Sequence, residues 1–233
     1  MNVAEAELPA NSTPGRIMTT LVCFALKEEA APFQKLTAGR SDVDVLVVGI
    51  GRANAERALR QRLAGATPDQ VFTCGFAGAL NTELKLGEVI FEPPSGVSGE
   101  ALATACHRLT AAGAKPARFF CAARVATTAM EKQSLRAETG ADAVEMESAA
   151  IQAVCAEHGL PCLTVRVISD IAAEDLPLDF NALAKPDKNL HPAKLAWAIA
   201  RSPGKIGALL ALQRQTRSAA NALAVTLAQT IWG

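Results

Sequence analysis

Apolar residues along the chain gather into short β-branched runs separated by segments of helical period. TTLVCFAL (Thr19–Leu26) reads as a buried strand, and KEEAAPFQKL follows it directly as the start of a helix. VDVLVVGIG (Val43–Gly51) reads as a second buried strand ending in glycines, and RANAERALRQRLAG after it as a helix closed by Gly65. PDQVFTCGFAGAL predicts a third strand running into a glycine-rich turn at Gly75 and Gly78, and LKLGEVIFEPP a fourth that stops at Pro93 and Pro94. Helical ALATACHRLTAAG, the strand ARFFCAARVAT and helical MEKQSLRAETG come next. VEMES (Val144–Ser148) opens a further helix, and GLP (Gly159–Pro161) leads from it into CLTVRVISD, the clearest buried strand of the chain.

Strands alternating with helices predict a single-domain α/β fold, a mixed and largely parallel β-sheet flanked by helices on both faces. Residues 18–233 are expected to form it; the polar, proline-containing residues 1–17 are expected to be a flexible leader. In such sheets ligands bind beyond the carboxyl ends of the strands. That rule selects Glu28 or Glu29, the stretch Gly49–Arg52, the stretch Gly75–Gly78, and the pair Ser169 and Asp170. Glu29, Glu147 and Asp170 can thus converge on one crevice, with backbone N–H groups beside them.

Composition narrows the function classes. Half of the 233 residues are apolar, enough for a sizeable core. Tyrosine is absent and net charge is zero, which argues against nucleic acid as a partner. The six cysteines are scattered without a CxxC, so neither a metal site nor a disulfide framework is expected, and a reducing cytoplasm is. No apolar run reaches transmembrane length. Charge is nevertheless uneven: six basic residues and no acid follow Asp187. That basic, Leu- and Trp-containing helical tail suits either a solvated cap on the sheet or peripheral contact with an anionic membrane surface.

The acids could do several things. Glu145 and Glu147 can simply complement a helix start. A carboxyl of raised pKa can protonate a leaving group while a second carboxylate activates a nucleophile, the arrangement used for glycosidic cleavage. A carboxylate also suits the paired hydroxyls of a ribose. Clustered acids can hold Mg²⁺, but no GxxxxGK[ST] loop accompanies them.

VEMESAAIQAVCAEHGLPCLTVRVISD resembles the signature of the purine nucleoside phosphorylase and methylthioadenosine/S-adenosylhomocysteine nucleosidase superfamily, in which a Met-Glu helix start precedes a Ser-Asp pair by one helix and one strand. LVCFALKEEAAPF, VVGIGRANAERAL and TCGFAGALNTELKLGEVI are similar to its first strand with the catalytic glutamate, its second strand and helix, and its glycine-rich turn. The resemblance implies that Asp170 protonates N7 of a departing purine and that Ser169 helps to place it. It implies that Glu147 holds the ribose hydroxyls, Met146 packs on the sugar, and Glu29 orients the attacking water; Glu28 points away. Gly75 and Phe76 would border the substrate, and no cofactor is expected beyond phosphate as a candidate co-substrate. Phe76 stands where familiar branches carry serine, and Thr73 where phosphorylases carry an arginine, so Arg52 is the remaining candidate phosphate ligand. AARVATTAME replaces the purine-stacking segment, which leaves Val125 to Thr128 only as neighbours of the base.

AWAIARSPGKIGALLALQRQTRSAANAL resembles the ending of the hopanoid-associated phosphorylases, a branch assigned to removing adenine from adenosylhopane. That implies a small-molecule nucleoside substrate, in this case lipid-linked, reached from the inner membrane face. Relatives are typically dimers or trimers, so a homo-oligomer is expected. The alternatives are a methylthioadenosine/S-adenosylhomocysteine nucleosidase and, from another class, a non-catalytic nucleoside-binding protein.

Overall fold

A computed structural model describes residues 18–93, 100–183 and 203–233. The leader expected over residues 1–17, Pro94, and the part of the expected C-terminal tail before Pro203 lie outside these residues. β1 (Thr20–Phe24), β2 (Val43–Val47), β3 (Gln70–Ala79), β4 (Val89–Glu92), β5 (Lys115–Pro116), β6 (Phe119–Cys121), β7 (Ala143–Glu145) and β8 (Cys162–Asp170) form one mixed sheet. Its spine runs β2-β1-β3-β8-β4-β5; β4 lies antiparallel to β8, and the neighbours on the β2 side of β8 are parallel.

Alternation within β1 explains the layering. Val22 and Phe24 point to one face, where they meet Phe33, Phe72, Leu109, Leu223 and Leu227. Leu21 and Cys23 point to the other, against Leu59, Ile151, Val154 and Cys155. The first face is covered by α1 (Lys27–Leu36), α3 (Glu100–Ala111) and the long α7 (Ile206–Trp232), the second by α2 (Arg52–Leu63) and α5 (Ser148–Glu157). Among the described residues the other α-helices are α4 (Ala129–Thr139) and the single turn α6 (Phe180–Leu183). Among the described residues no helix is long and apolar enough to cross a membrane.

Four sequence expectations are corrected. β2 is an edge strand with Val45, Leu46 and Val47 only half-buried, because it pairs with β1 alone. Gly65 does not close α2; the cap is Ala64, and Gly65 is absent from the glycines of positive φ. Gly75 and Gly78 form no turn, since β3 runs straight through them to Ala79. VEMES does not begin a helix: Ala143–Glu145 is β7, paired antiparallel with the end of β3, and Glu147 caps α5. β3 pairs with β8 along one edge and, at its end, with β7, and its register against β8 shifts between Ala77 and Gly78.

α7 divides into two parts. Its second half buries Ala219, Ala220, Leu223, Ala224 and Leu227 on the sheet, and Trp232 stacks on Phe33 with ring centroids 6.0 Å apart. Its first half leaves Ile206 and Leu210 exposed beside exposed Lys205, Arg214 and Arg217.

Candidate active site

A cavity of ≈ 180 Å³ opens at the carboxyl-terminal side of the parallel strands β1, β3 and β8, where β3 and β8 run on past the end of β1. Glu29, Phe76, Met146, Glu147, Ser169 and Asp170 all line it. Gly75 lies just beneath, against Glu29. Arg52 is exposed at the start of α2 and is not among the lining residues. Val125 and Ala126 border the cavity, whereas Thr128 caps α4.

Glu29 sits in the first turn of α1, buried, while its neighbour Glu28 is exposed. Its two oxygens accept the Leu26 and Phe76 N–H groups, each at 2.9 Å. Burial pushes its carboxyl up to about 7 against the pull of those two hydrogen bonds. The approach needs Gly75: a Cβ there would stand 3.0 Å from Oε1, and the φ of 151° is one that side chains rarely adopt.

Asp170 closes β8. Ser169 Oγ lies 2.9 Å from its Oδ2, and its Oδ1 forms an ion pair with the ammonium of Lys132. Gly78 does for Asp170 what Gly75 does for Glu29, since a Cβ at Gly78 would meet Oδ1 at 3.0 Å. The two glycines that the sequence presents as a turn are therefore two close approaches within one strand.

Glu147 is buried at the start of α5, and its Oε1 accepts the Gly51 N–H at 2.7 Å. That amide is available because Gly51 adopts a φ of 86° where β2 gives way to α2. Burial raises the Glu147 carboxyl, and the neighbouring Glu145 adds to this, although Arg166 and the Gly51 amide oppose them.

Glu145 is no solvated helix-start acid. It is buried and bonds Arg166 Nη2 at 2.6 Å, while also accepting the Glu147 and Ser148 N–H groups and the Ser148 hydroxyl. Burial raises its carboxyl, but Arg166 and these donors outweigh that and hold it low. Arg166 also donates to Thr73 O at 2.6 Å and reaches Thr73 Oγ1 at 3.2 Å. Thr73 thus serves as an anchor for an arginine from the adjacent strand. One buried guanidinium underlies three carboxylates, and only Glu145 holds it directly.

The sequence reading gives Glu145 only a helix-start role and assigns no site role to Arg166 or Lys132. An arginine inside the apolar run CLTVRVISD was the available signal, because a buried charge requires a partner. Lys132 gave none, since lysine is ordinary on a helix.

The Phosphorylase superfamily model matches residues 97–201 of the chain. A 5′-methylthioadenosine/S-adenosylhomocysteine nucleosidase of Marinomonas sp. is 27% identical over 172 residues, 62% of this chain and 74% of that protein. Its counterpart from Shewanella sp. W3-18-1 is 26% identical over 174 residues, covering 63% and 75%. Among solved structures, futalosine hydrolase of Helicobacter pylori superposes with a TM-score of 0.69 at 17% identity, over 92% of this chain and 97% of that one. The 5′-methylthioadenosine/S-adenosylhomocysteine nucleosidase of the same organism, bound to butyl-thio-DADMe-Immucillin-A, gives 0.68 at 18%, over 93% and 99%. The chain is thus similar to the phosphorylase superfamily over residues 97–201 and to nucleosidases over about three fifths of its length.

Proposed function

We propose that the protein is an enzyme that hydrolyses the N-glycosidic bond of an adenine nucleoside. Asp170 protonates N7 of the leaving purine, Glu147 accepts from the ribose hydroxyls, Met146 packs on the sugar, and Glu29 removes a proton from the attacking water. The supporting observation is the Glu29 carboxyl, which burial pushes up to about 7 at the cavity wall. A general base works best when its pKa lies near the operating pH. The nucleosidase relatives support adenine as the base.

Water is favoured over phosphate by the charges around the cavity. Arg166 is committed to Glu145 and Thr73, and Arg124 is paired with Glu131, while Arg52 stands outside. A phosphate dianion would face the carboxylates without a dedicated arginine fork among the described residues.

The finer substrate we propose is adenosylhopane-type. It rests on the C-terminal run AWAIARSPGKIGALLALQRQTR and on the exposed Ile206 and Leu210 set among basic residues, which suit peripheral docking at the inner membrane face. The second reading, a methylthioadenosine/S-adenosylhomocysteine nucleosidase, is favoured by the names of the relatives. In either case we expect a cytoplasmic homodimer or homotrimer that needs no cofactor.

Adenine release from methylthioadenosine, S-adenosylhomocysteine and adenosylhopane, each with and without phosphate, tests these readings. Release in phosphate-free buffer is expected, and an absolute phosphate requirement overturns the hydrolytic assignment. Asp170→Asn is expected to lower turnover at least about a hundredfold, the scale of lost general-acid help. Failure to co-sediment with anionic vesicles at low salt removes the membrane reading.

A further inference from the structure

Lys132 is a fully buried charged group beside Asp170 that the chemistry above leaves without a part. It sits four residues into α4 with a fully buried side chain, and its ammonium has three partners. Two are backbone carbonyls, Ile171 O at 2.8 Å and Glu174 O at 3.0 Å, in the loop leaving β8. The third is Asp170 Oδ1. The same loop is stitched to the start of α4 by Asp175, which accepts the Ala129 N–H at 2.7 Å, and by Leu176, whose N–H reaches Thr127 O at 2.8 Å. Helix and strand end therefore form one rigid corner with a buried cation at its centre.

A lysine needed only to tie the loop down would need no carboxylate. Burying an ammonium is costly, and two neutral carbonyls repay that poorly without an opposite charge. Here that opposite charge develops on the carboxyl read above as the acid, when it gives up its proton.

We infer that Lys132 is a positioning residue that stabilises the Asp170 carboxylate formed as Asp170 gives its proton to the purine. This rests on the acid role assigned to Asp170 under the proposed function. In the step, the Asp170 proton passes to N7 and the electron pair of the C1′–N9 bond stays on N9, so adenine leaves neutral. Water adds its oxygen to C1′ and gives a proton to Glu29. The negative charge that appears on Asp170 is met by an ammonium already in place, which requires no reorganisation at the moment of reaction. Ser169 Oγ fixes the other oxygen, so the carboxyl cannot turn away.

The test is a double-mutant cycle with adenine release as the readout. Lys132→Gln keeps donors for the Ile171 and Glu174 carbonyls but removes the charge. Its kcat is expected to fall at least about tenfold with KM within about threefold, the pattern of an interaction made only in the transition state. The Lys132→Gln/Asp170→Asn double variant is expected to be no slower than Asp170→Asn alone, because one residue acts through the other. Wild-type kcat in Lys132→Gln, or losses that multiply in the double variant, overturns the inference. An undiminished Asp170→Asn rate instead sinks the acid assignment itself, and the inference with it. Should Gln weaken the fold too far, Lys132→Met fills the same space without a dangling amide and carries the same cycle, with thermal unfolding as the control.

Discussion

Replacing Glu29 by glutamine removes a charge from the wall of the cavity and leaves its shape nearly intact. The carboxyl is moved from an ordinary 4.5 to about 7, with burial as the main cause. At about 1.4 kcal/mol per tenfold change in proton affinity, that disfavours the ionised form by roughly 3 kcal/mol. The sign follows from linkage. Between pH 4.5 and about 7 the folded protein keeps the proton that the unfolded chain has lost, so stability falls as pH rises through this window and is level above it. Glutamine has no such slope. It does cost a hydrogen bond, since Glu29 accepts two backbone N–H groups and an amide offers one oxygen, a penalty of about 1–2 kcal/mol at every pH. Glu29→Gln is therefore expected to be less stable than wild type at pH 4.5 and more stable at pH 8, with the difference changing by roughly 3 kcal/mol between them. Urea unfolding at the two pH values measures this, and a difference that moves by less than about 1 kcal/mol refutes the assignment of a buried, proton-holding Glu29. Adenine release by the same variant should be severely reduced, so stability would rise where activity is lost.

Gly78→Ala puts a methyl 3.0 Å from Asp170 Oδ1 and 3.4 Å from Val144, and the carboxyl must move aside by a few tenths of an ångström. We expect kcat to fall about tenfold with little change in melting temperature, as misplacement at the reacting centre costs rate before stability. Arg166→Met strands the Glu145 carboxylate and is expected to cost about 3–5 kcal/mol by urea denaturation. Adding Glu145→Gln should recover part of that loss, and no recovery would mean that Arg166 acts chiefly through Thr73.

Much of this was readable in advance, and what was not has a physical cause. β1, β8 and α3 follow from runs whose period is unambiguous, and the strand-end rule brought Glu29, Glu147 and Asp170 to one crevice. The glycines misled because glycine marks both turns and close approaches. Only the carboxylates that face Gly75 and Gly78 from elsewhere in the chain distinguish the two. Val144 and Glu145 read as helix because acids before an apolar run look like a cap, whereas pairing with the end of β3 makes them strand. Glu145 and Arg166 are 21 residues apart, and Lys132 and Ile171 are 39 apart, so no local pattern could join them.

The contact between Trp232 and Phe33 bears on the order of events in folding. Phe33 lies one turn beyond Glu29 on α1, and Trp232 Nε1 also reaches Asp42 at 3.1 Å, a contact across 190 positions of sequence. Closing so long a loop has an entropic cost and comes after local pairing. The helix that carries Glu29 is thus packed on both sides only when α7 arrives. A refolding chain should regain its helical signal first and its ability to release adenine only afterwards.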